Sequence, residues 1–321
     1  MSSMSVKGIE RVACVGAGTI GHSWALRFAM HGLKVNLYDV SEEALKGALQ
    51  RVRDGLQTMV EAGVIGGEDV GEVVGRIKTH TDLADAVKGS DYVQESAPED
   101  LNLKRGLFRE ISRHCPPHAI LASSSSTIPI SRIAKGLNDS SRCIIVHPIN
   151  PPHIIPLVEL VPGPETAGDV VEAVRELCLK VDMVPIVVRK EVPGHVINRL
   201  RFALLREAID LALKEVASVE DIEKAISHGL GVRWALMGEF LISHLMGSGG
   251  AGAALASYKE ALEYVFRDLA SWKELPKEAF TPRALTLLAE GLKAEIGGRG
   301  YDELVRWRDR KLLEILRVKR T

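Results

Sequence analysis

The sequence predicts a doubly wound parallel α/β sheet followed by an all-α C-terminal domain. Three observations predict it. Short apolar, β-branched runs alternate with helix-length stretches from Arg11 to about residue 190. A glycine-rich turn, Gly16-Ala17-Gly18-Thr19-Ile20-Gly21, directly follows the first run. From Gly194 onward only helical spacing remains. The expected domains are residues 1–190, binding a dinucleotide, and 191–321, a helical domain for substrate and dimerisation.

Arg11–Val15 reads as a buried strand, and Trp24, Ala25, Phe28 and Ala29 repeat at helical spacing after the turn. Gly32 stops that helix, and Lys34–Tyr38 forms a second strand that ends at Asp39. Gly16 permits a tight turn, Gly18 lets the backbone approach a pyrophosphate, and Gly21 lets helix and strand pack closely. The helix start offers free N–H groups to phosphates. Asp39 stands about 20 residues on, where an acid accepts hydrogen bonds from the adenosine ribose and repels a 2′-phosphate. A Rossmann-type sheet that binds NAD rather than NADP is the reading.

Ser41 is suited to cap a helix running to about Ala62, which Gly63, Gly66 and Gly67 break. Strands follow at Arg76–Thr79 and Tyr92–Glu95, and Asp100 can cap a helix over Leu101–His114. By spacing alone, Glu99 and Lys104 are a solvated pair of charges at that helix start. The strand Ala119–Ala122 runs into Ser123-Ser124-Ser125-Ser126-Thr127, a polar lining without the glycine elbow of a serine hydrolase.

Arg142–Val146 leads to His147, then to a loop stiffened by Pro148, Pro151, Pro152 and Pro156, then to an apolar run carrying Glu159. An imidazole at a strand end with a carboxylate on a rigid neighbour suits general acid–base work. His153 and His195 are alternative imidazoles. Thr166 with Asp169 reads as the cap of a helix to about Lys180, and Met183–Val188 as the last strand.

In the second half, Val196–Val216 is apolar on nearly all faces, which predicts cover on all sides, most simply by a second subunit. Ser218 with Asp221 caps the next helix. Gly229–Trp234 reads as a glycine-punctuated link, Gly247–Gly252 as a loop, Thr281-Pro282 as a helix start and Tyr301–Lys319 as a basic, solvated helix.

The composition excludes several classes. The 321 residues are 46% hydrophobic with a net charge of −1, so no basic excess points to nucleic acid or a membrane surface. No apolar run reaches spanning length and no signal-peptide core opens the chain, so a cytoplasmic protein is expected. The four cysteines, Cys14, Cys115, Cys143 and Cys178, show no metal or redox spacing. No metal is expected.

Close to the whole chain resembles the 3-hydroxyacyl-CoA dehydrogenase family, and within it the lambda-crystallin branch, whose members act as L-gulonate 3-dehydrogenases. The resemblance rests on Gly16–Gly21, Asp39, Pro98-Glu99-Asp100 with Lys104, the serine run, His147-Pro148-x-Asn150-Pro151, Leu157-Val158-Glu159, Gly194–Arg199 and Gly229–Trp234. It implies that His147 is the catalytic base and Glu159 its orienting partner. It places Ser126 at the catalytic serine and Asn198 at the substrate-binding asparagine. Thr19, Ile20, Glu99 and Lys104 fall at cofactor contacts. Serine stands where relatives place threonine before the functional serine, so the choice between Ser125 and Ser126 stays open.

Acyl-CoA relatives carry a neutral, proline-bearing segment where this chain has Gly231-Val232-Arg233-Trp234 and Glu239. An Arg fork suits a free carboxylate. The expected substrate is therefore a small 3-hydroxy acid read by Arg233, with L-gulonate first, L-carnitine second and an acyl-CoA third. A non-catalytic, crystallin-like NAD-binding protein is the alternative of another class.

Overall fold

A computed structural model describes residues 8–67, 69–248, 250–272 and 281–320. The expectations for the chain's first seven residues, for Gly249 and for Thr321 lie outside the described residues. The chain divides into two compact units, residues 1–199 and 200–321.

The first unit is built in chain order from β1 (Arg11–Val15), α1 (Thr19–Met30), β2 (Lys34–Tyr38), α2 (Glu42–Glu61), α3 (Asp69–Gly75), β3 (Ile77–His80), α4 (Leu83–Val87), β4 (Tyr92–Glu95), α5 (Leu101–His114), β5 (Ile120–Ser123), α6 (Ile130–Ile133), β6 (Cys143–Pro148), β7 (Leu157–Pro162), α7 (Gly168–Lys180) and β8 (Val184–Val187). The eight strands form one sheet in the order β3-β2-β1-β4-β5-β6-β7-β8. The order reverses between β1 and β4, the crevice where open α/β sheets bind ligands.

One pairing departs from the parallel expectation. β6 and β7 run antiparallel, with His147 opposite Glu159, while β7 and β8 are parallel again. The proline loop makes a reversal, with a cis Asn150–Pro151 bond, instead of a helical crossover.

Strand alternation sorts the core into two layers. Val12, Cys14, Ile144, Val146, Val158 and Leu160 pack into one apolar cluster with Trp24, Phe28 and Leu56. Ala13, Val15, Cys143, Ile145 and Val161 pack into the other with Phe108 and Ile111. Trp24 stacks on Phe28 at 5.1 Å, and Phe28 meets the edge of Tyr92 at 5.9 Å. His147 and Glu159 share the parity of the second layer, so both side chains leave the sheet on the same face.

Local chemistry fixes the helix ends. Ser41 accepts from Ala44 N and Asp100 from Leu103 N, as their positions predict. Thr166 does not cap α7. Its hydroxyl donates to Cys143 O and accepts from Gly163 N, so it ties the end of β7 to β6, and Ala167 takes the cap position.

The second unit is helical among the described residues. α8 spans Ile197–Leu213 and α9 spans Val219–Lys224, with Ser218 accepting from Asp221 N. The predicted link at Gly229–Trp234 is instead helical. A π-helical turn, Ala225–Leu230, continues into α10 (Gly231–Trp234). Ala235 N bonds Gly231 O, so the helical ladder continues past two glycines. The predicted loop at Gly247–Gly252 holds at Gly247 and Ser248 and gives way to a helix over Gly250–Ser257. α8 is only partly covered within one chain. Only Asp210 and Ala212 are buried along it, and Leu200, Phe202 and Leu205 stand exposed. No described helix is long and apolar enough to cross a membrane.

The packing of α1 against the glycine turn has a pH signature. His22 is buried on α1 and donates Nδ1–H to Gly18 O at 2.8 Å. Burial pushes its pKa down from 6.5 to about 4, against the opposing effect of that bond. Between those values the unfolded chain binds a proton that the folded chain refuses, so stability falls as pH drops through this window. Denaturant unfolding from about pH 7 to about pH 4.5 should show a shallower loss for His22→Gln than for wild type. Identical slopes would remove His22 as the cause.

Candidate active site

β6 and β7 deliver the central pair. Residues directly opposite on an antiparallel ladder bring their side chains about 5 Å apart at Cβ. His147 and Glu159 occupy such a pair, and Nδ1 lies 2.7 Å from Glu159 Oε2. Glu159 is wholly buried, and its other oxygen accepts Val196 N–H at 2.8 Å and Ile197 N–H at 3.0 Å. Burial alone would push this carboxyl up. The bonds from His147, Ile197 and Val196 outweigh burial and hold it below its ordinary value. An ionised Glu159 requires a donor at Nδ1. The Nε2 lone pair of His147 is then free to take a proton.

The serine run is a polar platform with divided duties. Ser123 donates to Glu95, and Ser124 accepts from Gln94 and bonds Ser96. Ser125 is buried. Its hydroxyl donates to Glu99 at 2.8 Å and accepts from Ile128 N at 2.9 Å. Glu99 Oε1 also accepts from Ser126 N, Thr127 N and Thr127 Oγ1. Burial raises the Glu99 carboxyl, but the bonds from Ser125 and Thr127 and the charge of Lys104 bring it below its ordinary value. The Ser126 hydroxyl makes no hydrogen bond to a described residue. Of Ser125 and Ser126, it is the one left for a ligand.

Lys104 and Glu95 are not a solvated feature. Lys104 is 1% exposed and Glu95 wholly buried. The ammonium lies 2.8 Å and 3.2 Å from the Glu95 oxygens, 3.0 Å from Ala97 O and 3.6 Å from Glu99. It therefore fixes the turn Glu95–Glu99 at the end of β4 from beneath, where spacing alone predicts a charge in water.

The glycine turn faces that β4 edge. Gly16 has a φ of 102°, and a Cβ there would meet Ser96 O at 2.9 Å. A Cβ on Gly21 would meet Gly16 O at 1.7 Å, so α1 starts against bare backbone. A Cβ on Gly18 would meet nothing within 4 Å, which leaves open space in front of the α1 N-terminus, where Thr19 and Ile20 begin the helix. Asp39 accepts Ala17 N at 2.9 Å and Ser41 N at 3.1 Å, one bond on each oxygen. Each oxygen keeps lone-pair capacity for ribose hydroxyls. These residues fit a dinucleotide.

Asn198 is half-buried in the first turn of α8, and its amide bonds no described residue. Arg233 is exposed on α10, next to Trp234, whose indole N–H donates to Glu239. His153 is committed elsewhere, 3.0 Å from Ser23 Oγ. Spacing missed the roles of Glu95 and Gln94. The available signal was an acid and an amide closing an otherwise apolar, buried strand, where polar groups must find partners.

The buried pair supplies a test. Lys104→Met leaves the Glu95 carboxylate buried without its cation and should cost about 3–5 kcal/mol in denaturant unfolding. The double variant Glu95→Gln/Lys104→Met should recover part of that loss. A wild-type midpoint for Lys104→Met would mean that the ion pair contributes nothing.

The comparisons with known proteins agree with this fold. Residues 11–192 match the 3-hydroxyacyl-CoA dehydrogenase NAD binding domain, and residues 194–282 match the C-terminal domain of the same family. The chain is 36% identical over 310 residues to an L-carnitine dehydrogenase of Pseudomonas sp, covering 96% of this chain and 93% of that one. It is 37% identical over 257 residues to a lambda-crystallin homolog of Homo sapiens, covering 80% of each. Among solved structures it is similar to the NAD+ dependent dismutase FHMPC 5-dehydrogenase, with a TM-score of 0.81, 30% identity, and 97% and 99% of the two chains covered. The chain belongs to the 3-hydroxyacyl-CoA dehydrogenase family and is an oxidoreductase that works with NAD.

Proposed function

We propose that this enzyme oxidises the 3-hydroxyl of a small 3-hydroxy acid with NAD, and that L-gulonate, giving 3-dehydro-L-gulonate, is its substrate. The observation that carries the reading is the 2.7 Å contact between His147 Nδ1 and Glu159, which leaves Nε2 as a base. His147 Nε2 takes the proton of the 3-hydroxyl. Glu159 stabilises the imidazolium that results. Ser126 and Asn198, whose side chains bond no described residue, hydrogen-bond the oxygen that becomes the carbonyl. NAD, when bound, accepts the hydride. Gly16, Gly18, Thr19, Ile20 and Gly21 hold its pyrophosphate, and Asp39 its adenosine ribose. Glu99 and Lys104 shape the β4 edge of the cofactor site. General base catalysis of this kind contributes about 10²–10⁴-fold.

Arg233 reads the substrate carboxylate through its guanidinium fork. L-Carnitine is the alternative substrate, because an L-carnitine dehydrogenase matches nearly the full length of the chain. Phe240, 84% exposed, and Trp234 supply aromatic faces in the same unit for a quaternary ammonium. A homodimer in which a second copy covers Leu200, Phe202 and Leu205, and a cytoplasmic location, complete the proposal.

NADH formation should be measured with L-gulonate, L-carnitine, 3-hydroxybutyrate and 3-hydroxybutyryl-CoA. L-Gulonate should be turned over by wild type, and His147→Gln should lose at least about 10²-fold in kcat. Turnover of the CoA ester alone would overturn the free-acid reading. Arg233→Met should raise KM for the acid about tenfold or more with little change in KM for NAD, as expected for loss of a charge-assisted bidentate contact. An unchanged KM would remove Arg233 from the substrate site.

A further inference from the structure

A second imidazole stands beside the base, and the reaction as derived above does not use it. His195 is 2% exposed, and its ring centroid lies 5.3 Å from that of His147. Its backbone is left-handed, with φ of 51°, directly after Gly194 with φ of 79°. Histidine rarely adopts this conformation, whereas glycine does so freely. Two successive left-handed residues turn the chain so that the next two N–H groups, Val196 and Ile197, converge on one oxygen of Glu159.

The ring is anchored at the other end. Nε2 lies 3.1 Å from Ser125 O. A carbonyl only accepts, so Nε2 carries the proton and Nδ1 is a bare lone pair. That Nδ1 is buried and has no hydrogen-bond partner among the described residues. A hydrocarbon ring would fill the same space without an orphaned nitrogen. The Nε2–H bond to Ser125 is what an imidazole adds.

We infer that His195 is a positioning residue that locks the serine platform to the His147–Glu159 pair. This inference rests on the reading of His147 as the base. Ser125 O is held by the His195 ring while Ser125 Oγ and Ser126 N are held by Glu99. The His195 backbone meanwhile sets the donors on Glu159. A displacement of either end moves Ser126 relative to Nε2 of His147.

The ring also keeps its charge out of the way. The groups that face it are His147 on β6, Glu159 on β7, Glu99 ahead of α5 and the Ser125 carbonyl after β5. Burial holds the His195 pKa below its ordinary value, helped by the neighbouring His147 and opposed by the Ser125 bond and by Glu159 and Glu99. A neutral His195 leaves the positive charge of turnover to His147.

Two variants separate the role from simple packing. His195→Phe keeps a ring and loses the donor. His195→Asn tolerates the left-handed backbone and restores an amide donor. With a substrate found in the panel, His195→Phe should lose about tenfold or more in kcat with KM for NAD unchanged, and His195→Asn should regain part of it. Wild-type kcat in His195→Phe would overturn the inference, as would equal losses in both variants. A second arm needs no substrate. Histidine-labelled NMR of the NADH-bound enzyme should show a neutral His195 with its proton on Nε2 at neutral pH. The hydrogen-bonded proton between His147 and Glu159 should weaken in His195→Phe and persist in His195→Asn. A protonated His195 at neutral pH, or an unaltered proton in His195→Phe, would overturn the inference. Lack of turnover of the whole panel by wild type would count against the proposed substrate alone, because the NMR arm reads the site directly.

Discussion

The Glu159 carboxylate is the constraint on which the active site depends. It is wholly buried, and an ionised carboxylate is costly there unless every oxygen is met by a donor. One oxygen meets His147 Nδ1 and the other meets two backbone N–H groups. These three donors come from β6 and from the segment that opens α8. Satisfying one buried charge therefore fixes the imidazole tautomer and the path of the chain as it leaves the sheet. The left-handed pair Gly194–His195 is a consequence of the same requirement, because an extended chain would not aim consecutive N–H groups at one atom.

The antiparallel β6–β7 pairing serves the same end. In a parallel ladder the bonds slant and opposite residues are not directly matched. In the antiparallel ladder His147 and Glu159 are register partners, so a 2.7 Å contact forms between short side chains without a loop to carry either. The sheet around them is packed on both faces by separate apolar layers. Rigid elements hold catalytic geometry better than loops do. The base is thus placed by strand register, and the serine platform by hydrogen bonds to Glu99 and Glu95.

Much of this was legible in the sequence because the signals are local. Strand, glycine turn, helix, strand and acid are written within residues 11–39, and caps such as Ser41, Asp100 and Ser218 act within three residues of themselves. The reversed β7 was not legible. Its apolar run looks the same in either direction, and only the proline loop, too short for a helical crossover, hinted at the turn back. Lys104 and Glu95 were not legible for a different reason. The spacing of Glu99 and Lys104 suits a solvated helix start, and only the packing of α5 on β4 takes Lys104 out of water, against Glu95. Thr166 reads as a cap because its nearest partners in sequence allow it. Its hydroxyl prefers Cys143 O, 23 residues away. The helical path through Gly229–Trp234 runs through two glycines whose weak helix propensity reads, by spacing, as a link.

Three carboxylates, Glu95, Glu99 and Glu159, cluster near the ends of β4 and β7, yet among the described residues only one lysine reaches any of them, 2.8 Å from Glu95 and 3.6 Å from Glu99. The other compensation comes from neutral donors: serine and threonine hydroxyls, peptide N–H groups and one imidazole. This division has a physical consequence. A lysine on Glu159 would neutralise it and weaken its hold on an imidazolium, whereas N–H donors keep the carboxylate ionised and still able to stabilise a proton on His147. Placing the cation on Glu95, behind the serine platform, therefore stiffens the β4 edge and leaves Glu159 to the imidazole. Separating the structural charge from the chemical one lets a single buried face hold both.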